Sequence, residues 1–105
     1  MNFGGRKIEA SNAQSLDGFE KSRVETALSL SFDKLMKIAG TELLLHVHFK
    51  QHEAQGRRKK HTVHLKLVLP GKTFVSSQTG WSPVDVLQEA LASIERQTIE
   101  SVKRH

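Results

Sequence analysis

His46, His48 and His64 are the side chains whose type and spacing first suggest chemistry. His46-Val47-His48 sets two imidazoles at i and i+2, so in an extended segment both project to one side. His64 belongs to a second alternating segment, Thr62 to Leu69, that would lie across from the first. Imidazoles brought together on paired strands are a zinc-type donor set. Lys50 and Lys66 share that side, however, and their charge opposes a dication, while Glu53 is the only acid close by in sequence. The plainer reading is a solvent-facing polar strand face. A further reading is a face that meets phosphate or base edges and gains charge at low pH. No metal and no cofactor is expected.

Charge is the second concentration of chemistry. The chain has 105 residues, with 16 Lys and Arg against 11 Asp and Glu, for a net charge of +5. Six of the 16 lie between Lys50 and Lys66: these two with Arg57, Arg58, Lys59 and Lys60. Five of the six histidines fall from His46 to His64. A localised basic patch is the footprint of nucleic acid or an acidic partner; the competing reading is a solvated loop. Catalysis has little support. No serine sits on a nucleophile elbow, no carboxylate pair has an acid–base context, and the chain has no cysteine. No apolar run approaches a membrane span, and the first residues lack the apolar core of a signal peptide. The expectation is a cytoplasmic protein that takes no small-molecule substrate, touches no membrane and is not an enzyme.

The elements that must position these groups are legible from periodicity. Leu43-Leu44-Leu45-His46-Val47-His48-Phe49-Lys50 alternates, as does Thr62 to Leu69. Leu43, Leu45, Val47 and Phe49 should therefore share an apolar face with Val63, Leu65, Leu67 and Leu69 across a hairpin. The loop Gln51 to Lys60 reads as long and polar. Leu69-Pro70-Gly71-Lys72 predicts a type II turn, with proline presetting φ and glycine accepting a positive one. Thr73 to Thr79 then forms a third strand, polar and peripheral, with Phe74 as its core candidate.

Met1 to Ala10 reads as an edge strand whose Gly4-Gly5 allows a bulge. Asp17 and Glu20 form a capping box, with Ser15 as competing cap. Phe19, Val24, Ala27, Leu28, Leu35 and Ile38 then fall at helical spacing up to the stop at Gly40. Ser29-Leu30-Ser31-Phe32-Asp33 is a poor helix former, so a kink or break is expected there. Ser82 caps a second helix, with Pro83 at its first position and Asp85 in its first turn. Val84, Leu87, Leu91, Ile94, Thr98 and Val102 make its apolar face. Trp81, just before the cap, reads as a staple packed into the core; stacking on a base is its alternative.

The order strand, helix, three strands, helix defines an α+β domain over residues 1–105, with helices on one face of a mostly antiparallel sheet. With these signals it resembles the ribosome hibernation-promoting factor family, also called ribosome-associated inhibitor or sigma-54 modulation proteins. Three stretches carry the resemblance: Gly5 to Ser11 before the first helix, Phe32-Asp33 near its end, and Trp81-Ser82-Pro83-Val84-Asp85-Val86-Leu87 opening the second. The resemblance covers nearly the whole chain and looks like the short form of the family. It implies a β-α-β-β-β-α domain of double-stranded-RNA-binding shape. It also implies a non-catalytic factor that occupies the small ribosomal subunit where mRNA and tRNA would sit, silencing translation.

The chain departs from the family's pattern in its second helix. Ser93, Gln97 and Ile99 stand where bases are usual, and only Arg96, Lys103 and Arg104 are basic. The hairpin loop is longer and more basic than usual, and there are extra residues around Lys37 to Thr41. The expected rRNA contacts are therefore Lys50, Arg57, Arg58, Lys59, Lys60, Lys66, Lys72, Arg96, Lys103 and Arg104, with Arg6 and Lys7 as weaker additions and the loop carrying most of the weight. Other functions left open are a double-stranded-RNA-binding module of another kind, a protein-interaction domain with a basic docking loop, and a zinc enzyme. The oligomeric state is open too.

Overall fold

Two alternating segments paired in antiparallel register give a ribbon with one apolar and one polar side, and the rest of the chain covers the apolar side. The structure, a computed structural model, describes residues 1–53, 56 and 58–103. Strand β1 (Ile8–Ser11) leads through a 3-10 turn (Ala13–Ser15) to helix α1 (Gly18–Ala39). Strands β2 (Leu44–Glu53), β3 (Lys59–Leu69) and β4 (Lys72–Gly80) follow, then helix α2 (Pro83–Lys103). The sheet order is β1-β2-β3-β4. β1 runs parallel to β2, the connection being made by α1, and the other two pairings are antiparallel. A parallel pair needs such a crossover, whereas β2, β3 and β4 can follow one another through turns.

Alternation places the core as expected. Leu45, Val47, Phe49, Val63, Leu65 and Leu67 are buried together with Val24, Leu28, Phe32 and Leu35 of α1 and Val84, Leu87, Leu91 and Ile94 of α2. Each fully buried side chain of this size contributes about 1.5–3 kcal/mol. Phe74 is partly buried against this cluster, as suits an edge strand. Pairing extends further into the hairpin than the sequence suggests, through Glu53↔Lys59. Gly71 has φ 75°, as its turn requires.

α1 begins on the Asp17–Glu20 capping box, with Asp17 accepting from the Glu20 amide at 2.7 Å and Glu20 accepting from the Asp17 amide at 3.0 Å. The expected break at Ser29–Asp33 is absent, and α1 is continuous to Ala39. Ser31 is buried and donates to Glu95 Oε2 at 2.8 Å, while Lys34 Nζ lies 2.8 Å from Glu95 Oε1. One carboxylate of α2 thus satisfies the polar residue that would otherwise disfavour the helix. Lys34 is held above the usual lysine range by that hydrogen bond and charge. Phe19 is 72% exposed and not part of the apolar face, with the Arg23 guanidinium 5.7 Å from its ring centroid. Val102 is also exposed, on the last turn of α2.

Two motifs set apart in the sequence meet in space. Arg6 donates from Nε to Asp33 Oδ1 and from Nη2 to Asp33 Oδ2, both at 2.8 Å, and from Nη1 to the Phe3 carbonyl at 3.1 Å. Such a planar fork fixes direction as well as distance, and it ties the start of β1 to α1. Lys7 lies 3.7 Å from Glu42. Arg6 is therefore engaged within the fold. The fork holds the Asp33 carboxyl below its ordinary value. His61 is lowered too, chiefly by burial, with Glu20 opposing and His52 and Lys59 assisting.

Both shifts make the fold lose stability on acidification. The unfolded chain takes up the His61 proton below about pH 6.5 before the folded one does, and the Asp33 proton below about pH 3.8. Asp33→Asn should remove the more acidic stage and leave the His61 stage intact; thermal melts across pH check this, and an unchanged acid limb would show that the fork adds nothing. Ser76 Oγ is buried under α2 without a hydrogen-bond partner among the described residues. Ser76→Ala should therefore hold or raise stability, by up to about 1 kcal/mol in urea unfolding, because a buried unsatisfied hydroxyl is costly.

Candidate nucleic-acid interface

The same alternation that fills the core leaves the other side of the sheet open. Reading across β2 and β3, the rungs are His46↔Lys66, His48↔His64, Lys50↔Thr62 and His52↔Lys60. Seven of these eight positions are Lys or His, so the face is a track of cations and imidazoles, not a generic polar surface. Rungs repeat every two residues, about 6.8 Å, and the track spans about 20 Å.

One rung crosses all four strands. Ser11 of β1 pairs in register with His48, His48 with His64, and His64 with Ser77 of β4. Ser11 Oγ lies 2.7 Å from His48 Nδ1, and Ser77 Oγ lies 2.9 Å from His64 Nδ1. The two rings stack with centroids 6.3 Å apart and planes 26° apart. Each edge-strand hydroxyl fixes a ring through Nδ1 and leaves Nε2 without a partner among the described residues. His46 Nδ1 instead lies 3.0 Å from Glu9 Oε2. In the Lys50 rung, Thr62 and Thr79 satisfy each other at 2.9 Å. The face is concave, enclosing about 680 Å³ over Glu9, Ser11, His46, His48, His64 and Lys66. Among the described residues no three His, Cys, Asp or Glu side chains gather in a way that could hold a metal ion.

The hairpin end differs most from expectation. Trp81 is 44% exposed, not packed in the core. The Arg58 guanidinium lies 4.0 Å from its ring centroid and Lys60 Nζ 5.4 Å. The reason lies one residue earlier. A Cβ on Gly80 would approach Val86 Cγ2 to 2.9 Å, so α2 is seated directly on the covered side there. Ser82 caps α2 through its Oγ, 3.3 Å from the Asp85 amide, and alternation sends Trp81 to the side of Ser77 and Thr79. Extending the period-two count past Thr79 would have signalled this; the capping motif drew attention to the helix instead. His52, another member of the track, was missed because it falls in what reads as loop.

The expected contact residues do not form one surface. Lys50, Arg58, Lys60 and Lys66 belong to the open face and its hairpin end, and Lys59 is the register partner of Glu53 beside them. Lys72 opens β4 at the opposite end of the sheet, its Nζ 2.7 Å from Ser101 Oγ in the last turns of α2, the helix that also carries Lys103. Arg96 is exposed on α2. Arg57 and Arg104 lie outside the described residues.

Fold and face together define a class: an α+β domain with one side of its sheet covered by two helices and the other open and rich in Lys and His. Within that class, the chain belongs to the family described as hibernation factor Hib, C-terminal domain, whose model matches residues 7–105. Two solved structures share the fold. The Thermus thermophilus Protein Y N-terminal domain is 18% identical with a TM-score of 0.65, over 89% of this chain and 92% of that one. A ribosomal subunit interface protein from Coxiella burnetii is 17% identical with a TM-score of 0.59, over 94% and 97%. A comparison with curated proteins found no significant match. Among the described residues no helix is long and apolar enough to cross a membrane.

Proposed function

We propose that this chain is a ribosome-associated hibernation factor domain that binds the small ribosomal subunit without catalysis. It occupies the rRNA-lined channel where mRNA and tRNA would sit and so silences translation, which makes the cytoplasm its place of work. The observation that carries this reading is the family match over residues 7–105. The open face supplies the surface. Lys and Arg side chains displace counterions from phosphates, and a fixed array of them does so without ordering a flexible chain. The track along β2 and β3 is held by ladder pairing from Leu44 to Glu53. Lys72, Arg96 and Lys103 are secondary contacts at most, since they lie apart from it.

Cosedimentation with isolated small subunits tests the reading. Binding is expected at about 50 mM salt and should weaken by about 10³-fold at 200 mM, as for six or more phosphate contacts. Joint substitution of Lys50, Lys60 and Lys66 by Glu should abolish it, whereas joint substitution of Lys72, Arg96 and Lys103 by Glu should leave most of it. No small-subunit binding at low salt would overturn the function. Loss only with the second set would put the contact surface on the helix side.

A further inference from the structure

We infer that Trp81 is a stacking platform for an unpaired nucleobase, so that the face takes single-stranded RNA and not only a phosphate backbone. This rests on the RNA-binding reading above and names the ligand within it. The indole is nearly half exposed and is not needed to fill the core, because α2 already closes against Gly80 on the covered side. It is nonetheless held in place. Arg58 stacks 4.0 Å from the ring centroid and Lys60 reaches within 5.4 Å. A guanidinium this close to an indole restrains its orientation and polarises the ring. It also puts positive charge beside the phosphates that would flank a stacked base.

Position strengthens the case. Trp81 stands at the head of the track, beside Lys60, whose rung partner is His52. A strand whose base lies on Trp81 can run its backbone down the face over Lys50 to the His48–His64 rung. Aromatic platforms beside a basic groove are the usual arrangement for single strands, because every base has a π-face. A duplex cannot use the platform, since its base faces are already stacked on one another.

The chain has one tryptophan, so its emission reports this site alone. The intact protein is titrated at low salt with an oligouridylate and, separately, with a dumbbell duplex closed at both ends by non-nucleotide linkers, which has no free end and no unpaired base. Binding is followed in parallel by anisotropy of labelled copies. Emission should be quenched by the single strand with the midpoint that anisotropy gives, and should not change with the dumbbell. Trp81→Ala should weaken the single strand by about tenfold, within the range base stacking supplies, and leave dumbbell affinity unchanged; Trp81→Phe should restore most of the loss. Single-strand binding with unchanged emission, or an equal loss for both ligands in Trp81→Ala, would overturn the platform while sparing the RNA reading. Absence of binding to either ligand by anisotropy would overturn both.

Discussion

The alternation of side chains along β2 and β3 is the constraint on which the rest depends. Every second residue from Leu45 to Phe49 and from Val63 to Leu67 is apolar and buried, while the residues between are His and Lys. A slip of one residue in register would exchange the two sets, putting His48, Lys50, His64 and Lys66 under the helices and the leucines in water. Burial of the apolar set therefore fixes where the cations stand. The core and the open cationic face are two consequences of one pairing.

Other interactions lock that pairing to its surroundings. The Arg6–Asp33 fork sets the start of β1 against α1. β1 in turn brings Ser11 and Glu9 to the imidazoles of β2. Glu95, shared by Ser31 and Lys34, joins the two helices. These are local ion pairs and hydrogen bonds of modest individual worth. Their effect is directional: they hold the edge strands where their hydroxyls can orient the central histidines.

The element order, the caps at Asp17 and Ser82, the turn at Gly71 and the core were legible because each depends on neighbours close in the chain. What was not legible depends on distant partners. Ser31 reads as a helix breaker until Glu95, 64 residues away, accepts its hydroxyl. Arg6 reads as a free cation until it meets Asp33. Trp81 reads as core until Gly80 brings α2 against the covered side. Residue type alone does not reveal that the eight described basic residues among the expected contacts divide between the open face with its hairpin end, the far turn and the outer side of α2. The family resemblance was legible from three short stretches, one of which includes Arg6 and another Asp33, the two halves of the fork.

The central claim is that the open face, not the helical side, meets the ribosome. A cryo-electron microscopy structure of this chain bound to the small subunit tests it most directly. The account predicts rRNA phosphates within hydrogen-bonding distance of Lys50, Lys60 and Lys66, with α1 and α2 turned away from the rRNA that the open face contacts. A complex in which the helices lie against the rRNA and the His48–His64 rung faces solvent would contradict it.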